Sequence, residues 1–176
     1  KTSYVMSKNI IYIIGTGQNP KDHLTLEAVR VIKKSDKLLL INGDSESVIQ
    51  AINGHNNYED IVDLYVDGDI DDNNYNRIVK KIVTDSEKNK IISVTTAGHP
   101  LIGVSWWERL KKSKSFDSEI IYIEGISSWT GVFTEIEHDP LENGVITVDA
   151  NRLLRVDQTR KPEPDTVRLK GWATGT

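Results

Sequence analysis

Short apolar runs alternate with longer amphipathic stretches along most of the chain. The runs are rich in Ile, Val and Leu and nearly continuous, which is typical of strands buried on both faces of a sheet. Between them, apolar side chains recur every three or four positions, which is the helical period. Because strands and helices alternate, the sequence predicts an α/β fold with a five-stranded, parallel, doubly wound sheet. The predicted strands are 9–14, 37–41, 61–65, 90–95 and 119–124.

The predicted helices follow the strands in order. The first carries Leu24 and Ala28 on one face, with Thr25 as its predicted cap. Residues 18–23 and the acidic stretch 67–74 are predicted to be polar connections. Further helices are predicted at 45–52, 75–83, 100–112 and 129–136.

The pattern changes near residue 139. Residues 145–148 (VITV) are predicted to form a strand that opens a second unit, and from residue 156 the chain is polar and irregular, with two prolines in its first half. We therefore expect two parts. The first is an N-terminal α/β domain at 1–138, and the second, at 139–176, is the beginning of another α/β domain followed by an irregular tail.

Composition argues against several kinds of site. The 176 residues carry 22 basic and 26 acidic side chains, which are interspersed and give no electrostatic case for nucleic-acid binding. Cysteine is absent, so disulfides and thiolate metal sites are excluded, and the four histidines are too dispersed to indicate a metal centre. No apolar run approaches the ~18 residues of a membrane span. The first residues lack an apolar signal-peptide core, so we expect a cytoplasmic protein.

Glycines follow two predicted strands at the edge where α/β sheets bind ligands. Gly-Thr-Gly stands at 15–17 and Gly-His-Pro at 98–100, and Pro100 is predicted to occupy the first turn of the next helix. A dinucleotide-binding fingerprint would need a third glycine where Pro20 stands, and no Gly-Lys-Ser/Thr phosphate loop occurs. The loops favour a small-molecule site. The alternative is a set of strand–turn–helix joints that bind nothing.

Four stretches, taken in order, resemble one family. Residues 11–28 (IYIIGTGQNPKDHLTLEA) resemble the opening of the tetrapyrrole methylase superfamily. Residues 97–104 (AGHPLIGV) resemble its second loop in a Gly-His-Pro version, and 125–128 (GISS) resemble its third. Residues 139–154 resemble the entry to its second domain. The Gly-His-Pro version is most similar to the branch that contains borosin peptide N-methyltransferases and MazG-fused methylase-like domains.

The resemblance implies a methyltransferase that uses S-adenosylmethionine. Members of the superfamily are two-domain α/β proteins, usually homodimers, that hold the cofactor between their domains. Their second and third loops contact the cofactor, and the first loop faces the substrate. The resemblance implies no metal. The matching positions are Gly98, His99, Pro100, Ile102, Gly103, Val104, Ser127 and Ser128 for the cofactor, and Gly15, Thr16 and Gly17 for the substrate.

The candidate catalytic residues are Tyr65 and Tyr75, which match approximately two tyrosines that borosin-like enzymes carry after the third strand. A peptide amide must be deprotonated or strongly polarised before it is methylated. The arginine that accompanies those tyrosines would fall within 69–74, where this chain has none, and Arg77 is out of register. The alternative makes Tyr65 a packing residue at a strand end and Tyr75 a residue of a helix face.

The function predicted from the sequence is methyl transfer to a peptide backbone or another nucleophile. A non-catalytic methylase-like module that binds the cofactor or a partner stays open, as does a tetrapyrrole C-methyltransferase. Two observations favour the non-catalytic module. The arginine is missing, and little sequence after residue 154 resembles the family. A generic nucleotide-binding α/β domain is a more remote alternative.

Overall fold

The structure is a computed structural model that describes residues 8–113 and 117–147. Within these residues five strands form one sheet, in the order β3-β2-β4-β1-β5. Every pair of neighbours is parallel, which confirms the predicted fold class. The strands are β1 (Asn9–Gly15), β2 (Lys37–Ile41), β3 (Tyr58–Asp60), β4 (Ile91–Thr96) and β5 (Ser118–Ile123).

Helices alternate with the strands along the chain, as predicted. None of the described helices is long and apolar enough to cross a membrane. They are α1 (Pro20–His23), α2 (Leu26–Ile32), α3 (Ser45–Ala51), α4 (Asp71–Ser86), α5 (Trp106–Lys112), α6 (Ser128–Glu135) and α7 (Pro140–Asn143).

The sheet separates two hydrophobic cores, because successive side chains of a strand point to opposite faces. On one face Leu39 and Val94 pack with α4 and α5, which we name the α4/α5 core. On the other face Ile14, Leu38 and Leu40 pack with α2 and α3, which we name the α2/α3 core. Strands buried on both faces explain the continuous apolar runs of the sequence.

The third strand lies earlier than its predicted position. The prediction of a strand at 61–65 is wrong, because β3 is Tyr58–Asp60 and a 3₁₀ turn follows at Val62–Leu64. Asp60 favours this turn, since its Oδ1 accepts a hydrogen bond from the N–H of Val62 at 2.9 Å. Ile61 is buried in the α4/α5 core, so the apolar character of this run reflects packing and not strand pairing.

The acidic stretch after that turn is partly helical. The prediction of a loop throughout 67–74 is wrong in its second half, because α4 begins at Asp71 and not at residue 75. Asp71 and Asp72 lie in the first turn of α4, where carboxylates interact favourably with the positive end of the helix dipole. The acidic residues Asp71 and Asp72 therefore indicate the start of a helix and not a loop.

Side-chain caps begin the first two helices. Residues 20–23, predicted as a polar connection, form α1, whose start is capped by the Oδ1 of Asn19 accepting the N–H of Lys21 at 3.2 Å. Thr25 caps α2, as predicted, because its Oγ1 accepts the N–H of Ala28 at 3.0 Å. Both caps satisfy amide groups that the first turn of a helix leaves without a partner.

The connection between β4 and α5 is a long loop. The prediction that Pro100 occupies the first turn of a helix is wrong, because α5 begins only at Trp106. The N–H of Ile102 donates to the carbonyl of His99 at 3.2 Å and closes a turn. Gly103 then takes a φ of +71°, which no helix accommodates. The predicted cofactor loop is thereby longer than expected and lies at the carboxyl edge of the sheet.

The described residues divide into two compact units, the first ending at Ser128 and the second beginning at Trp129. The strand predicted at 145–148 is not found, since 145–147 belong to no strand and Val148 lies outside the described residues. The predicted tail at 156–176 also lies outside them. The predicted domain boundary at residue 138 stays a prediction.

Replacing Leu39 by alanine tests the packing of the sheet. Leu39 is fully buried, so Leu39→Ala should lower the free energy of unfolding by about 2–5 kcal/mol through lost apolar contact and the cavity left behind. Leu26→Ala is the matched control, because Leu26 is 79% exposed and the same change there should cost less than about 0.5 kcal/mol. Urea denaturation measures both. Equal stabilities of the two variants would contradict the assigned α4/α5 core.

Candidate functional site

Three glycines meet at the carboxyl edge of the sheet, at the ends of β1, β4 and β5. A Cβ atom on Gly15 would lie 2.8 Å from the backbone nitrogen of Gly125 and would overlap the carbonyl oxygen of Gly98. A Cβ atom on Gly125 would lie 2.6 Å from the carbonyl oxygen of Gly15 and would overlap Gly98 as well. Such distances are shorter than van der Waals contact. Only glycine at positions 15 and 125 therefore allows the three loops to come together, and Gly98 contributes its carbonyl oxygen to the contact.

A two-way backbone contact joins the first loop to the second. The N–H of Gly17 donates to the carbonyl of Gly98 at 3.2 Å, and the N–H of Gly98 donates to the carbonyl of Gly17 at 2.9 Å. Both residues have positive φ angles, +71° and +67°, which favour glycine. The loops predicted to serve the substrate and the cofactor are thus one hydrogen-bonded unit. Gly15, Thr16 and Gly17 are all buried, and their contact with a substrate stays a prediction.

The second loop is fixed at both ends. The Nδ1 atom of His99 accepts the N–H of Leu101 at 3.2 Å, which leaves Nε2 to carry the proton of the neutral ring. At the far end the indole N–H of Trp107 donates to the carbonyl of Val104 at 2.8 Å. Pro100 is buried, whereas Ile102 is half-buried and Gly103 exposed. A Cβ atom on Gly103 would meet no atom within 4 Å, so the loop borders open space.

The two serines follow β5 at the same edge of the sheet. Ser127 is buried, and Ser128 is exposed as the first residue of α6. Because Gly125 packs against Gly98, the third loop starts beside the second. The order of the strands thus brings together the loops that the sequence nominated for the cofactor.

The candidate catalytic tyrosines lie beside one another. Their ring centroids are 6.5 Å apart, although the two residues belong to a loop and to a helix. Tyr65 is exposed, and its hydroxyl donates to the Oδ1 of Asp71 at 3.0 Å. This hydrogen bond to a carboxylate raises the pKa of Tyr65 above its usual value, because it stabilises the protonated phenol, and partial burial adds to the shift. Tyr75 is half-buried and packs against the α4/α5 core, as does Val104 of the second loop.

Two arginines frame the tyrosine pair. The Nε of Arg77 donates to the carbonyl of Leu64 at 2.9 Å and its Nη1 donates to the Oδ2 of Asp69 at 2.8 Å. Arg77 thereby holds the loop that carries Tyr65.

The second arginine was missed in the sequence. Arg109 lies on α5, with its guanidinium carbon 5.7 Å from the ring centroid of Tyr75 and its Nη2 2.5 Å from the Oδ1 of Asp72. Its contacts on α4 lie up to 37 positions away, so no local spacing reveals them. The only signal was that α4 and α5 both start at the carboxyl edge and pack on one face of the sheet. Arg109 thus lies beside Tyr75 as a cation paired with Asp72.

These features form a candidate small-molecule site at the carboxyl edge of an α/β sheet, and comparison with known proteins identifies the family of the chain. A model of the tetrapyrrole (corrin/porphyrin) methylases matches residues 10–169, so the chain belongs to that family. The predicted superfamily is confirmed. Members of the family use S-adenosylmethionine, whose ribose and amino-acid ends can be held by backbone groups and hydroxyls. The loops described above carry backbone groups and the hydroxyls of Ser127 and Ser128 at one edge of the sheet, so the residue types present fit this cofactor.

Individual relatives are distant. The methyltransferase/ribosomally synthesized type III borosin cyclic peptide precursor aboMAa of Anomoporia bombycina is 22% identical over 168 residues, which are 94% of this chain and 19% of that protein. The uroporphyrin-III-C-methyltransferase of Thermus thermophilus has a TM-score of 0.55 at 16% identity, covering 75% of this chain and 53% of that one. The cobalamin biosynthetic enzyme cobalt precorrin-4 methyltransferase, CbiF, has a TM-score of 0.51 at 18% identity. The match covers 74% of this chain and 51% of that one.

The extent of these matches limits what they show. The chain spans about a fifth of the length of the curated relative and about half of each solved structure. At such identities the solved structures show a shared fold. Within the described residues, no group of three or more His, Asp or Glu side chains is arranged to hold a metal ion.

A single methyl group should disrupt the edge where the three loops meet. Gly125→Ala places a Cβ atom against the backbone of Gly15 and Gly98, so it should lower the free energy of unfolding by about 1–3 kcal/mol or more. Gly43→Ala is the control, because a Cβ atom there meets nothing within 4 Å and its φ is not positive. Thermal denaturation compares the two. A Gly125→Ala variant as stable as Gly43→Ala would contradict the close packing.

Proposed function

We propose that this chain binds S-adenosylmethionine through residues 98–104 with Ser127 and Ser128, and that it methylates a nucleophile, most specifically a peptide backbone amide. The observation that carries the proposal is the close contact of Gly15 and Gly125 with the carbonyl of Gly98, because it brings the three loops that resemble the family's motifs together at one edge of the sheet. Family membership supports the cofactor. A peptide acceptor is supported by the relative whose name couples a methyltransferase to a borosin peptide precursor.

The proposed chemistry assigns separate tasks to the two sides of the site. When bound, the cofactor supplies an electrophilic methyl group on a sulfonium centre. The loop 98–104 would orient that group for in-line displacement, a reaction in which positioning does much of the catalysis. As the new bond forms at the acceptor nitrogen, the amide proton must leave and negative charge must be stabilised.

The tyrosine pair is the proposed place of that proton loss. The hydroxyl of Tyr65 is engaged, because it donates a hydrogen bond to the Oδ1 of Asp71. We therefore assign contact with the acceptor amide to Tyr75, and the departing amide proton passes to solvent. Arg109, which is paired with Asp72, places its guanidinium carbon 5.7 Å from the centroid of the Tyr75 ring, where it can stabilise negative charge that develops on the acceptor amide. The proposal also includes a homodimer, as the family resemblance implies, and a cytoplasmic location, as expected from the sequence.

Cofactor binding can be tested without knowing the acceptor. Titration calorimetry with S-adenosylhomocysteine should show binding to the wild-type chain, and Gly103→Trp should weaken it at least about tenfold by filling the open side of the second loop. Gly54→Trp is the matched control, because both glycines have positive φ angles and open surroundings, but Gly54 lies at the opposite edge of the sheet. Absence of binding in a folded wild-type chain would refute the proposed cofactor site.

The acceptor side is tested by methyl transfer to a panel of capped peptides, read by mass spectrometry. Arg109→Met keeps the length of the side chain and removes its charge, so transfer should fall about 10- to 100-fold while affinity for S-adenosylhomocysteine stays unchanged. Arg30→Met is the control, because Arg30 is exposed on α2. This variant should transfer methyl groups at the wild-type rate.

The same assay separates the alternative functions. Transfer to a tetrapyrrole and to no peptide would replace the proposed acceptor by the tetrapyrrole alternative. Cofactor binding without transfer to either would favour the non-catalytic module.

A further inference from the structure

One buried side chain just beyond β2 connects three strand ends. Asn42 is 3% exposed, and its Nδ2 donates to the Oγ1 of Thr16 at 2.6 Å. Its Oδ1 accepts the hydroxyl of Thr95 at 2.5 Å. Thr16 in turn donates to the carbonyl of Thr96 at 3.2 Å. Thr16 and Thr95 are fully buried, so the three side chains form a closed polar network at the carboxyl edge.

The order of the strands explains why one side chain can make both contacts. β4 lies between β2 and β1, with Thr95 opposite Leu40 on one side and Ile14 on the other. Asn42 and Thr16 are the first residues after their strands and lie on the face of the α2/α3 core, as Thr95 does. Asn42 therefore reaches across the end of β4 to the first loop.

We propose that Asn42 is a positioning residue, which holds Thr16 and thereby fixes the first loop against the second. This inference rests on the proposed function, because the second loop is the proposed cofactor site. The link is short: Thr16 is followed by Gly17, whose two backbone hydrogen bonds hold Gly98. If Thr16 could move, Gly17 and the hydrogen-bonded Gly98 would move with it.

The chemistry of the network requires a carboxamide at this position. The group facing Thr16 must donate a hydrogen bond, because the Thr16 hydroxyl proton is already directed to the carbonyl of Thr96. The group facing Thr95 must accept one. A carboxamide does both, whereas an ionised carboxylate only accepts and an apolar side chain does neither. Loss of either bond leaves a buried hydroxyl poorly satisfied, which is unfavourable.

Asn42→Leu removes the network and keeps the branched heavy-atom skeleton of the side chain, and Thr95→Val removes one bond isosterically in case the first variant does not fold. Hydrogen exchange should show the amides of Gly17 and Gly98 at least about tenfold less protected in either variant. The dissociation constant for S-adenosylhomocysteine should rise about tenfold or more. Because both changes break one network, the double variant should lose less affinity than the two single losses multiplied.

Ile52→Ala is the control for a general loss of stability. Ile52 is fully buried beyond the end of α3, at the opposite edge of the sheet, so this change should destabilise the fold without altering either local readout beyond the global effect. Unchanged exchange at Gly17 and Gly98 in folded Asn42→Leu would overturn the inference, and so would unchanged cofactor affinity. Failure of the wild-type chain to bind S-adenosylhomocysteine would instead refute the proposed function, and hydrogen exchange would still decide whether Asn42 holds the loops.

Discussion

Close contact between backbones at the carboxyl edge of the sheet is the constraint on which the site depends. Gly15 and Gly125 approach each other and the carbonyl oxygen of Gly98 so closely that neither could carry a side chain without moving a neighbouring backbone. Parallel strands place their carboxyl ends at one edge, but they do not by themselves bring the following loops together. Here the loops come together because Gly15 and Gly125 have no side chains to keep them apart.

The two faces of this edge differ in character. On the face of the α2/α3 core, Asn42, Thr16 and Thr95 fill the space beyond the strands with satisfied hydrogen bonds. On the face of the α4/α5 core lie Tyr75 and the end of the second loop. A fully satisfied buried network is rigid, because every rearrangement breaks a bond that no water replaces. One face therefore holds the loops, whereas the other carries the candidate catalytic tyrosines.

Sequence reasoning succeeded where a property is local and failed where it depends on packing. Apolar runs located four strands within about a residue, since burial on both faces leaves a continuous pattern. The third strand is misplaced in the prediction because the apolar side chains after Asp60 pack in the α4/α5 core, although their backbone forms a 3₁₀ turn and leaves the sheet. The three glycine-containing loops were found because strand ends and glycine are visible locally. Asn42 and Arg109 were missed, because a polar residue after a strand or on a helix acquires its partners only when distant segments pack.

This division bears on what the family resemblance can transfer. The loops nominated for the cofactor are contiguous motifs whose backbone geometry is set by glycine, so likeness in sequence carries likeness in shape. The proposed acceptor side is built differently. Its cation comes from α5, its tyrosines from a loop and from α4, and that loop is held by Arg77. A missing arginine in the local motif therefore does not remove positive charge from the tyrosine pair. The specificity of such a site depends on how helices pack, and it can change while the cofactor motifs stay constant.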